Sequence, residues 1–248
     1  MKQRIRRLRL LLMTAPLAVA IPVPQDSSYI QFSGAAGGGT YLQVIEDCSG
    51  SNLATTGVGT YRDAGAGFEF RDYNGVLVGT RGGVFEHDGG SSLEYEEGVA
   101  GEESGWWAHP YIGGDTRRVG FRVGLVHTEG RIDPNGGAED NNTPSLFLRI
   151  GNRKTWYWTG SLGESFPIYS GGGYGLYTGF GGRPLDRLGV WFGAGTGLPY
   201  DEDTLGLLLQ TETRLFPGWY LDLTGRIDTH ESTDQAGIAV GLTWRHFR

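Results

Sequence analysis

His230 and Ser232 bring a base and a hydroxyl nucleophile within two residues of each other, in the stretch His230-Glu231-Ser232-Thr233. A histidine can activate a serine when a carboxylate orients its ring. Residues i and i+2 share a face only in extended chain, and this stretch is polar and turn-like, so it reads first as an exposed loop. Asp133, Asn135, Glu139 and Asp140 share one glycine-containing loop, and Asp201, Glu202 and Asp203 form a second acidic cluster. Oxygen ligands of this kind suit calcium or magnesium, but neither cluster follows a calcium-loop pattern, so no metal is expected. The five histidines (His87, His109, His127, His230, His246) lack zinc-ligand spacing. Gly173-Tyr174-Gly175 is followed by no helix and so offers no phosphate cradle. The sequence implies no cofactor, and it composes no enzyme active site beyond the weak pair His230 and Ser232.

The remaining charged residues are placed by a pattern. Leu205, Leu207, Leu209, Thr211 and Thr213 alternate with Gly206, Leu208, Gln210, Glu212 and Arg214. After Phe216-Pro217-Gly218 the alternation resumes, with Trp219, Leu221, Leu223 and Ile227 against Tyr220, Asp222, Thr224, Arg226 and Asp228. The last segment sets Ile238, Val240, Leu242 and Trp244 against Gly237, Ala239, Gly241 and Thr243. A period of two over this length means β-strands with one apolar and one polar face. The same reading gives candidate strands at 28–36, 40–47, 57–73, 76–87, 116–131, 144–151, 155–162, 168–181, 187–197, 204–215, 219–229 and 235–247. Residues 88–115 read as a long connection, in which Glu94–Glu103 is acidic and Trp106 to Tyr111 is aromatic-rich. Those aromatics suit either a partner surface or the mouth of a barrel.

The first twenty residues predict a secretory signal peptide: Lys2, Arg4, Arg6, Arg7 and Arg9, then the apolar run Leu10–Val19, then the small-x-small site Ala18-Val19-Ala20. Cleavage there leaves one domain, 21–248, with 16 bases against 28 acids and a net charge of −12. That balance argues against nucleic acid as a partner. Cys48 is the sole cysteine, so no internal disulfide holds the fold. Glycine makes up 44 of 248 residues, against about 7% in ordinary proteins, and without a collagen period. Glycines inside strands suit a curved, closed sheet.

Two folds share such strands. A soluble secreted β-protein would turn the apolar faces inward, and a membrane barrel would turn them outward. Polar faces that carry both charges, and aromatics collected at strand ends, favour the barrel. The expected architecture is therefore an all-β, single antiparallel up-and-down transmembrane β-barrel of ten to twelve strands, with eight possible. Its lumen would be lined by Glu212, Arg214, Asp222, Arg226 and Arg122. Leu207, Leu209, Leu221, Leu223, Val240 and Leu242 would face lipid, and Trp219, Trp244 and Phe247 would sit at the interface.

With its signal peptide, glycine-rich strands and closing Gly-Leu-Thr-Trp-Arg-His-Phe-Arg, the chain resembles small bacterial outer-membrane β-barrels of the porin-like and OmpA-like class. That class implies residence in the outer membrane, contact with lipid and lipopolysaccharide, and recognition of the last strand by the barrel-assembly machinery. The aromatic usually found last stands one place early here, as Phe247 before Arg248. The resemblance implies a porin-like or structural barrel, or an anchor whose loops bind an envelope partner. His230 and Ser232 also resemble the His-x-Ser spacing of lipid A deacylases, with Thr233 in place of the asparagine.

Overall fold

The computed structural model describes residues 28–45, 55–88, 103–132, 137–163, 174–198, 205–229 and 233–248. The signal segment, Cys48, the acidic cluster 201–203, His230 and Ser232 lie outside them. The described residues form twelve strands. These are β1 (Tyr29–Ile45), β2 (Thr55–Arg71), β3 (Val76–Asp88), β4 (Glu103–Asp115), β5 (Val119–Ile132) and β6 (Gly137–Gly151), followed by β7 (Trp156–Leu162), β8 (Tyr174–Leu185), β9 (Leu188–Leu198), β10 (Leu205–Phe216), β11 (Trp219–Thr229) and β12 (Thr233–Phe247). Each strand pairs antiparallel with its sequence neighbours, and β1 pairs with β12 from Tyr29 opposite Phe247 to Gln43 opposite Thr233. The sheet closes into an up-and-down barrel with no free edge, so strand N–H and C=O groups are satisfied without water.

The strand count expected from sequence is corrected here. It is twelve, not a range reaching down to eight, and the set differs from the sequence list. Segments 28–36 and 40–47 are one strand, β1, which runs unbroken through Gly37-Gly38-Gly39 in register with both neighbours. Those glycines mark close approach rather than a turn: a Cβ on Gly38 would lie 2.8 Å from the Tyr61 carbonyl oxygen, and one on Gly39 would collide with that of Ala236. In the other direction, the expected connection 88–115 contains β4. Its alternation is masked because Trp106 points out while Trp107 points in, and because Pro110 interrupts the run. Proline cannot donate to a ladder, and the β4–β5 pairing passes from Ala108 opposite His127 to Tyr111 opposite Gly124 around it.

Joining β1 and adding β4 puts the connections in order. Residues 72–75, 116–118, 152–155, 186–187 and 217–218 are short turns at one end, where Ser28 and Arg248 also meet (Arg248 N to Ser28 O, 2.9 Å). Every longer connection lies at the other end. The turn at 72–75 has Gly75 at φ 87°, a left-handed conformation open to glycine at little cost, and the Asp72 carboxylate accepts from Val76 N at 2.7 Å.

The outer wall is apolar. On β5, Val119, Phe121, Val123 and Leu125 point outward before His127 and Glu129 end the run; on β6, Ile150, Leu148, Leu146 and Pro144 do so before Asn142 and Asp140. Charges likewise begin at Arg62 on β2 and Glu86 on β3. Near the short turns the band is edged with rings: Phe32 lies 5.2 Å from Phe68 and stacks at 5.9 Å on Trp244, and Phe216 lies 5.9 Å from Trp219. At the upper edge Trp106 packs on His127 at 4.7 Å. An apolar belt with aromatic borders is the exterior of an outer-membrane barrel. β1 and β2, 17 residues each, exceed the roughly 9–11 residues that cross a bilayer and rise past the belt at the long-loop end.

Candidate functional site

The interior is the candidate site, and its lower half is full. Large inward side chains fit because the facing position is glycine: a Cβ on Gly79 would strike the Tyr111 ring, one on Gly181 the Tyr157 ring, and one on Gly195 the Tyr177 ring. Tyr157, Tyr177, Trp191 and Leu208 form a buried cluster on one wall. Trp191 donates its indole N–H to Thr159 Oγ1 at 3.1 Å.

Six arginines hold three carboxylates across the rest of this layer. Asp115, at the end of β4, takes Arg149 at 3.0 Å, Arg153 at 3.2 Å and Arg71 at 3.9 Å. Glu69 lies 3.8 Å from Arg122 and accepts hydroxyl bonds from Tyr29 and, at 2.8 Å, from Tyr111. Glu212 pairs with Arg183 at 3.1 Å and with Arg245 at 3.9 Å, while Arg245 also donates two bonds, 2.8 and 2.7 Å, to Gln31 Oε1. Arg122 lies over the Phe147 ring at 4.2 Å, and Arg245 over that of Tyr220 at 4.8 Å. Buried charges persist only when paired and hydrogen-bonded, and planar guanidinium suits such multidentate packing better than lysine. Arg153 springs from the β6–β7 turn and interacts with Asp115, Tyr29, Tyr157 and Glu69. Burial works against its charge, but Asp115 and its other partners outweigh that and hold its pKa above the ordinary arginine value.

Sequence reasoning missed most of this network, and a buried His–Ser pair besides. His109 Nε2 lies 2.7 Å from Ser145 Oγ. That is nucleophile–base distance, yet the two are 0% and 4% exposed, so no substrate meets them. They serve as a satisfied polar contact in the barrel wall. Ser145 sat in a segment that alternation placed but could not pair, and His109 in the stretch 88–115 that read as a connection. On the outside, His127 Nδ1 lies 3.1 Å from Asn142 Oδ1 and 3.3 Å from Asp140 Oδ1, and Trp106 donates to Glu129 at 3.2 Å. No metal-binding group of histidines, cysteines and carboxylates is found among the described residues.

Of the residues nominated as lumen-lining, Glu212, Arg226 and Arg122 are buried inside and Asp222 is half-buried there, accepting from Thr243 Oγ1 at 2.7 Å. Arg214 is corrected: it is exposed at the rim, where the β10–β11 register slips between Arg214 and Phe216. Leu207, Leu209, Leu223, Val240 and Leu242 are exposed on the outer wall, and Leu221 is half-buried in the same phase. Trp219 and Trp244 sit in the lower aromatic border. Phe247 is corrected, because it shares the inward phase of Thr243 and Arg245 and meets Tyr29 edge-on at 6.4 Å. Aspartate and asparagine at 133 and 135 lie outside the described residues.

No family model matches the chain, and no curated protein matches it. Solved structures of bacterial outer-membrane β-barrels do. The beta domain of the Bordetella autotransporter Brka is similar at 15% identity and a TM-score of 0.49, over 86% of this chain and 98% of that one. The Pseudomonas putida toluene transporter TodX is similar at 7% identity and a TM-score of 0.43, over 90% of each chain. A Pseudomonas aeruginosa FadL homologue is similar at 7% and 0.43, over 88% and 90%. At such scores these likenesses decide nothing about activity; the barrel stands on this chain's own strand pairing.

Proposed function

We propose that this chain is a structural barrel of the bacterial outer membrane, exported by its cleaved signal peptide, with its lumen held shut by side chains. The observation that carries the reading is the contrast across the wall: Phe180 is 66% exposed outside, and Arg149 is 0% exposed inside. Only lipid matches such an exterior, and only a filled cylinder hides such an interior. Acyl chains would cover the band between the two aromatic borders, and lipopolysaccharide headgroups would meet Trp106 and His127 at the upper one. The assembly machinery would read β12. The rise of β1 and β2 past the belt favours an anchoring role, with the loops offered to an envelope partner, over free solute passage.

Planar-bilayer recording of the purified protein tests the seal. No steady channel conductance is expected. Stable conductance steps would overturn it and restore a porin-like role.

A further inference from the structure

Not every base is drawn into the lumen, and the two rims of the barrel carry opposite charge. Around the short turns Arg117 and Arg118 (β4–β5), Lys154 (β6–β7), Arg187 (β8–β9) and Arg214 at the end of β10 are all exposed. None is among the six luminal arginines. Against these five bases, among the described residues of this rim, stand Asp72 and Asp186. Among the described exposed residues of the other rim, Glu86, Asp88, Glu129 and Asp140 stand against Arg62. The chain as a whole is acidic, so the basic rim is a local enrichment and not a drift of composition.

The bases also adjoin the apolar belt. Arg118 precedes Val119, Arg214 precedes Leu215 and Phe216, and Lys154 lies two positions from Trp156; all four of those apolar residues are exposed. At about 3.3 Å per residue, a base within two positions of such a side chain stays within about 7 Å of it. The headgroup layer of a bilayer is about 5–8 Å deep on each side. Arginine and lysine lay their stems along apolar surface and hold the charge in that layer.

We propose that this rim is a docking surface for anionic phospholipid headgroups, in the leaflet on the short-turn, periplasmic side. Sign and depth select the occupant. A soluble acidic partner would have to enter the headgroup layer to meet the same charges. A zwitterionic lipid presents its own cation beside its phosphate and cancels much of the attraction. The proposal rests on the membrane reading above and adds a lipid preference to it.

Electron paramagnetic resonance of the full-length protein in phosphatidylcholine vesicles, with trace spin-labelled phosphatidylglycerol or phosphatidylcholine, tests this. Lipid in contact with the barrel gives an immobilised component. Phosphatidylglycerol should associate about twofold to fivefold more strongly than phosphatidylcholine, one base near an anionic surface contributing about fivefold at most. The preference should approach parity in about 1 M salt, where the Debye length is about 3 Å. The combined variant Arg118→Gln, Lys154→Gln, Arg187→Gln and Arg214→Gln should abolish it, and Arg62→Gln at the opposite rim should keep it. A heat-shifted gel band checks that each variant folds. Equal immobilisation of the two lipids by the unaltered protein, or a preference that survives the combined variant, would overturn the proposal while the immobilised phosphatidylcholine still reported an embedded barrel. No immobilised component with either lipid would overturn the membrane reading as well.

Discussion

At the residue scale, what a charge does depends on which side of the wall it occupies. Asp115 pairs with three guanidiniums in a nearly enclosed space. Asp115→Asn strands them, and losing one partner of a buried ion network costs about 3–5 kcal/mol. A lower urea midpoint for the refolded protein in lipid vesicles is the expected result. Asp140 makes a superficially similar contact with His127, but its side chain is 65% exposed. Asp140→Asn should change the midpoint little, since exposed pairs contribute about 0–1 kcal/mol. Val240 lies outward in the middle of the β12 apolar run. Val240→Arg should cost about 2–4 kcal/mol, the figure for a cation on the lipid face near midplane, in the same vesicle assay. In a detergent-free soluble protein the same change would be harmless.

At the scale of the strand, glycine and aromatic residues are one device. Gly195 on β9 faces Tyr177 on β8, directly opposite in the ladder, and a side chain there would collide with the ring. Gly195→Val should destabilise the barrel by about 1–3 kcal/mol, the usual range for overpacking, and Tyr177→Ala should relieve part of it; a double-mutant cycle on unfolding midpoints reads the coupling. This device also explains what the sequence could and could not tell. β10 to β12 were legible because leucine and valine alternate with polar residues and the Pro217-Gly218 turn is explicit. β4 was illegible because two adjacent tryptophans face opposite ways and Pro110 mimics a loop. The triple glycine of β1 imitated a turn while serving close strand approach. With one strand split and one omitted, the two errors cancelled in number but inverted the order of short and long connections in the first half. The interior was half legible: alternation put Glu212, Arg226 and Arg122 inside, but pairing across the lumen joins residues far apart in the chain, such as Gln31 and Arg245, and no local pattern encodes that.

At the scale of the whole molecule, the acidic chain keeps its cations within. Six arginines from five strands and one turn meet at the short-turn end, and the cylinder that encloses them turns phenylalanine, leucine and valine outward. Either half alone has a soluble explanation; an apolar exterior around an ionic interior does not. The most direct measurement is a nitroxide scan of the protein reconstituted in vesicles, with Cys48→Ser as background and single labels along β10 and β12. Labels at Leu207, Leu209, Val240 and Leu242 should collide freely with oxygen and be sheltered from a water-soluble nickel chelate. Access of the chelate to those four positions, with shelter at Leu208 and Ala239 in a protein that stays in solution without lipid, would contradict the account.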